Sequence, residues 1–107
     1  MCIDKVCTNE ITYEWDDEKN KTNIAKHGVS FEEALTVFED ENALLIADLA
    51  HSTEEERFIA LGVSNTLKVL YVCHCYRENN IVRIISARKA TKLEVELYEG
   101  NVLNEIR

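Results

Sequence analysis

A chain of 107 residues, 46% hydrophobic and 30% charged, is one domain's worth, long enough to bury a core and too apolar to be disordered. No run approaches the roughly 18 apolar residues of a membrane span. The opening MCIDKVCTNE lacks the apolar region and cleavage site of a secretory leader, so a cytoplasmic protein is expected. The net charge of −8 has the wrong sign for a general nucleic-acid binder, because phosphate neutralisation normally dominates such affinity.

Residues 1–12 carry no assignable role. The segment ITYEW (11–15) alternates well enough for a short strand. Asp16 then offers an N-cap to a helix over 17–27, with Asp17 and Glu18 suiting its positive end. That helix is polar, and Ile24 reads as its chief apolar anchor. Gly28 stands where a left-handed residue would stop it. Ser30 and Glu33 form a capping box, followed by Phe31, Ala34, Leu35 and Phe38 at the spacing of an amphipathic helix.

Four strand-like runs follow, at roughly 43–48, 56–64, 67–77 and 81–88. The middle two are almost continuously apolar, as central strands covered on both faces should be. Short polar segments at 49–55, 64–67 and 78–80 suit antiparallel hairpins. Thr91 and Glu94 make a second capping box, opening a helix that Gly100 is expected to end. The order β-α-α-β-β-β-β-α predicts a single α+β domain. Two N-terminal helices and a C-terminal helix should pack on a four- to five-stranded, mainly antiparallel sheet.

The candidate chemical groups are scattered, and no phosphate loop or metalloprotease motif is present. Lys26 and His27 end the first helix, where cations favour the helix dipole; alternatively Lys26 binds a phosphate and His27 moves a proton. Trp15, at a strand end, reads as a core or rim aromatic, with base stacking as the alternative. Lys19 and Lys21 extend the basic character of that helix.

Arg57 shares parity with Ile59, Leu61 and Val63, so it needs a carboxylate or a substrate phosphate. The stretch 83–90 holds Arg83, Arg88 and Lys89 without an acid. Arg83 could make a cross-strand salt bridge. Regular alternation sets it opposite Arg88, so one site can use both only if the strand ends or bulges near Ala87. Arg88 and Lys89, at a strand-to-helix junction, fit a functional role better than a structural one.

Four cysteines occur, at positions 2, 7, 73 and 75, and all read as reduced thiols. Cys73-His74-Cys75 invites a metal reading. Strand alternation turns His74 away from the two thiols, so core cysteines are expected and no metal.

The ordered set E-W-D (14–16), Lys19, Asn23, K-H-G-V-S-F-E-E-A (26–34), E-E-R-F-I-A-L-G (55–62) and R-I-I-S-A-R-K-A (83–90) resembles the BrnT family of type II toxins over about 13–98. The resemblance implies a RelE-like fold and metal-independent cleavage of RNA with no cofactor. It implies neutralisation by a ribbon-helix-helix antitoxin, with DNA reached only through that partner. Its motif positions point to Lys26, His27, Arg57, Arg83 and Arg88 as catalytic, and Lys89, Lys19 and Trp15 are candidates for substrate binding. The expected chemistry is attack of a ribose 2′-hydroxyl on the adjacent phosphorus, with arginines stabilising the added charge. The rival reading is a catalytically inactive toxin-like module serving as antitoxin partner and corepressor.

Overall fold

The structure, a computed structural model, describes residues 3–8, 10–51 and 55–106. Cys2 and Glu54 therefore lie outside the described residues. Six strands form one sheet in the order β1-β2-β6-β5-β4-β3. They are β1 (Ile3–Thr8), β2 (Ile11–Asp16), β3 (Leu44–Ala47), β4 (Phe58–Val63), β5 (Val69–Arg77) and β6 (Ile81–Lys89). The helices are α1 (Asp17–His27), α2 (Phe31–Leu35), continued by a 3-10 turn over Thr36–Glu39, and α3 (Lys92–Ile106). The α+β class and the mainly antiparallel sheet stand, but the sheet has six strands, not four or five. The addition is β1, which pairs along the whole of β2.

β2 and β6 are the one parallel pair among the described residues, setting Thr12, Tyr13 and Glu14 beside Ile81, Val82 and Arg83. One face of the sheet carries the core. Tyr13 and Trp15 of β2, Leu70 and Val72 of β5, and Val82, Ile84 and Ala87 of β6 pack against Val29, Phe31, Ala34, Leu35 and Val37. Burying each large apolar side chain contributes about 1.5–3 kcal/mol. The Ser30 hydroxyl caps α2 by accepting the Glu33 N–H at 3.1 Å. Glu33's own carboxylate turns away from the box to accept the hydroxyls of Ser64 and Thr66.

α1 has the bounds read from the sequence, with Asp16 accepting the Glu18 N–H at 2.9 Å and Gly28 at φ 68. Its anchor is different. Ile24 is 44% exposed, whereas Asn20 and Asn23 are buried. β2 stops at Asp16 while β6 runs on, which leaves part of the β6 edge without a strand. Asn23 fills that place: its amide donates to Ala87 O at 2.7 Å and Val29 O at 2.8 Å, and its oxygen accepts the Ala87 N–H at 3.1 Å. Asn20 accepts the Phe31 N–H at 2.9 Å. A polar helix is therefore fastened by amides rather than by an apolar stripe.

A bulge in β6 resolves the parity conflict around Arg83. Cys73 pairs with Ser86 and His74 with Ile84, leaving Ile85 extra. Ile84 and Ala87 consequently both face the core, and Arg83 and Arg88 share the second face, opposite Cys75 and Tyr71 of β5.

α3 begins at the Thr91–Glu94 box. The Thr91 N–H donates to Glu94 Oε1 at 2.8 Å, and the Glu94 N–H donates to the Thr91 hydroxyl at 3.3 Å. It does not stop at Gly100 but continues to Ile106. A glycine inside a helix costs only about 1 kcal/mol. The helix is held past it by Asn101, whose amide donates to Asn42 O at 3.0 Å. One turn earlier the Tyr98 hydroxyl donates to Asp40 at 2.6 Å. Burial pushes the Asp40 carboxyl up, but hydrogen bonds from Tyr98, Val63 N–H and Asn42 N–H outweigh it and hold the group below its ordinary value. No helix among the described residues is long and apolar enough to cross a membrane.

Candidate active site

Because Tyr13 and Trp15 turn into the core, strand alternation sends Glu14 and Asp16 to the second face of the sheet. There the parallel pairing sets Glu14 beside Arg83, and the guanidinium Nη1 donates to Glu14 Oε2 at 2.7 Å. Glu14 is only 7% exposed. The two residues share the wall of an open cavity of about 420 Å³ with Asp16, Lys19, Glu55, Arg57, Arg77 and Ile85. Four cationic side chains thus face three carboxylates. Asp16 is occupied in capping α1, and Arg77 pairs with Glu55 at 3.4 Å across an exposed contact. Such a contact contributes little in water and is easily displaced by a stronger anion.

A second cavity, of about 310 Å³, adjoins the first and shares Lys19 and Ile85 with it. Its other walls are Glu18, Thr22, Asn23, Lys26, His27 and Ser86. The β6 bulge brings both Ile85 and Ser86 to this surface. Lys26 and His27 project from the last turn of α1, exposed and without an ion-pair partner among the described residues. The two cavities, which share Lys19 and Ile85, form one groove from the end of α1 across β6 to Arg77 at the end of β5 and Arg57 just before β4. Along it lie Lys26, His27, Lys19, Arg83, Arg57 and Arg77, despite the acidic chain as a whole.

Three sequence candidates lie elsewhere. Trp15 is 2% exposed and meets Phe31 edge-on at 6.4 Å, so it packs the core and offers no face to a base. Lys89 is exposed at the end of β6, on the side of Glu33; burial pushes that carboxyl up, but the Thr66 and Ser64 hydroxyls, with Lys68 and Lys89 nearby, hold it below its ordinary value. Arg88 shares a face with Arg83 but is engaged by α3: its guanidinium donates to both oxygens of Glu94, at 2.8 and 3.0 Å, and lies 3.8 Å over the Tyr71 ring. The bonded carboxylate raises Arg88 above its ordinary value, and Arg88 holds Glu94 below its own. Arg88 thus fastens the start of α3 to the sheet.

Arg83 makes the expected cross-strand salt bridge, with Glu14, and also lines the cavity. The cavity also takes in Glu14, Glu55 and Arg77, which the sequence alone does not single out. Arg77 shares strand parity with Cys73 and Cys75, which was the available signal. His74 is fully buried on the core face, its ring nitrogens near Val72 O at 3.3 Å and the Tyr76 hydroxyl at 3.2 Å. Burial drives its imidazole down to about 4. Cys73 and Cys75 lie on the other face, and burial pushes both thiols up. Cys7, Cys73 and Cys75 are free thiols. No group of three or more metal-ligating side chains gathers among the described residues.

A family model described as the ribonuclease toxin BrnT of type II toxin–antitoxin systems matches residues 15–94. The chain belongs to the BrnT family. Among solved structures, it is similar to the crystal structure of the ribonuclease toxin BrnT from Brucella abortus. Sequence identity is 29% and the TM-score 0.56, covering 73% of this chain and 94% of that one. No curated protein matches it. The BrnT match takes in all of the groove's residues except Glu14, while β1 lies wholly outside it.

Proposed function

We propose that this chain is an endoribonuclease toxin that cuts RNA by internal attack of a ribose 2′-hydroxyl, without a metal ion. The observation that carries the reading is the convergence of Arg57, Arg77, Arg83 and Lys19 on one open cavity, continuous with Lys26 and His27. A pentacoordinate phosphorus carries more negative charge than the phosphodiester it forms from. Preorganised guanidinium groups stabilise it selectively. Arg83 and Arg57 hold the scissile phosphate, and Lys19 and Lys26 guide the backbone on either side. His27 gives a proton to the departing 5′-oxygen, a task an imidazole can perform near neutral pH. The products are a 2′,3′-cyclic phosphate and a 5′-hydroxyl.

Membership of a type II toxin–antitoxin family implies an antitoxin partner; the partner proposed is a ribbon-helix-helix protein that covers the toxin in the cytoplasm and is the complex's only contact with DNA. The deciding experiment incubates the purified protein with a long labelled RNA in EDTA at low salt, beside an Arg83→Ala variant. Cyclic-phosphate ends made only by the unaltered protein are expected. Intact RNA in both lanes would leave the chain as an antitoxin-binding corepressor. That second reading draws on the carboxylates already paired with Arg83 and Arg77.

A further inference from the structure

A carboxylate on the wall of a phosphate-binding groove is electrostatically out of place, because it repels the substrate the arginines attract. Asp16 is accounted for as the cap of α1, and Glu55 sits exposed at the rim. Glu14 is different. It is 7% exposed, reaches the cavity from the sheet itself, and meets Arg83 through one oxygen, Oε2. Its nearest strand neighbours, Lys5 on β1 and Arg83 on β6, are both cationic.

Resting on the ribonuclease reading above, we propose that Glu14 is the general base that takes the 2′-hydroxyl proton. A guanidinium has five N–H donors spread around a rigid plane. Among the described residues Arg83 spends one on Glu14. Its remaining N–H groups can hold a non-bridging phosphate oxygen at the same time. One planar group then fixes the spacing between carboxylate and phosphorus, and the 2′-hydroxyl adjoining that phosphorus falls to the oxygen of Glu14 that Arg83 does not hold. The proton passes to Glu14 and O2′ bonds to phosphorus. The P–O5′ bond breaks, and O5′ takes a proton from the imidazolium of His27. Before the next turnover Glu14 returns its proton to solvent and His27 takes one up from it. Geometry of this kind is what general-base catalysis requires first.

The competing account makes Glu14 only the counterion that keeps Arg83 in place. The test uses an oligonucleotide with a single ribose among deoxyriboses, and its all-deoxy analogue as an uncleavable ligand. Glu14→Gln should lower kcat on the order of 10²–10⁴-fold. It should bind the analogue as tightly as the wild type or tighter, since a repelling charge is gone. Glu14→Asp keeps the charge and the fold with a shorter reach, and should retain intermediate activity. The Glu14→Gln/Arg83→Ala double variant should be slower than Arg83→Ala alone.

Wild-type cleavage with Glu14→Gln within threefold of it would overturn the base assignment and leave the ribonuclease standing. So would a loss in which analogue affinity falls and the double variant matches Arg83→Ala, the pattern of a counterion. Should Glu14→Gln fail to fold, a Glu14→Asp variant with unchanged kcat would overturn the assignment equally. A wild-type protein that cuts nothing removes both readings together.

Discussion

Replacing Asn23 with alanine should destabilise this protein more than replacing any apolar residue of α1. The Asn23 side chain makes three hydrogen bonds, to Val29 O, Ala87 O and Ala87 N–H, at 2.7–3.1 Å, and all are buried. Each neutral hydrogen bond contributes about 0.5–1.5 kcal/mol net, and a buried group left unpaired costs about 1–3 kcal/mol. Alanine's better helix propensity returns only about 0.7 kcal/mol or less. Partial entry of water into the space left by the amide relieves some of the rest. The net expectation is about 3 kcal/mol, which for a domain of this size lowers Tm by at least about 10 °C. Asn23→Asp should be no better at neutral pH, because its second oxygen would face two carbonyl oxygens. Ile24→Ala, at 44% exposure, should cost under about 1 kcal/mol. Urea unfolding at constant m-value measures all three. An Asn23→Ala loss below about 1 kcal/mol, or one no larger than that of Ile24→Ala, would refute the view that amides fasten this helix.

His74 supplies a pH-dependent stability. Its folded value of about 4 lies below the ordinary 6.5, so between these pH values the unfolded chain binds a proton that the folded protein does not. Stability should therefore be full above pH 6.5 and fall by roughly 3 kcal/mol as the pH drops through about 4. His74→Phe should flatten that part of the curve, and an unchanged slope would count against it. Arg88→Ala and Glu94→Ala should each cost about 1 kcal/mol, and the double variant no more than either single, because the two side chains form one unit. Strictly additive losses in a thermal double-mutant cycle would exclude the fastening role. The glycines of α1 and α3 should respond oppositely although neither has a heavy atom within 4 Å of an added Cβ. Gly28→Ala should destabilise by about 1 kcal/mol because φ is +68, and Gly100→Ala should stabilise by about 0.5–1 kcal/mol. Gains or losses of the same sign in Tm would contradict the backbone argument.

Local chemistry was legible in the sequence wherever it acts over three or four residues. Asp16, Gly28, Ser30 and Thr91 all do what their positions announce, and the bounds of α1 follow from them. The parity of Arg57 with the β4 residues also held. What escaped the sequence depends on partners far along the chain. Asn23 looks like an ordinary polar helix residue until Ala87 is set beside it, 64 positions away. Arg88 has no evident partner in the sequence, because Glu94 already fits there as half of a capping box, and only the fold shows that it serves both. Trp15 and Glu14 exchange the roles their chemistry suggests: the aromatic goes inside and the carboxylate lines the groove, since the alternation of β2 outranks both. β1 has no glycine or proline to mark its turn, and its hairpin reverses through Glu10 at φ 69. The bulge at Ile85 has no local signature either, and it decides that Arg83 and Arg88 share a face of the sheet.

The parallel pairing of β2 with β6 also sets the timing of the groove during synthesis. Glu14 emerges early and Arg83 follows 69 positions later, after every other strand of the sheet has been made. A growing polypeptide therefore has no assembled groove while β6 is missing, and an incomplete translation product lacks Arg83, Ile85 and Ser86 from its wall. Closing so long a loop is also the kind of step that slows folding. A protein whose proposed substrate surrounds it during translation thus acquires that surface only when its last strand docks.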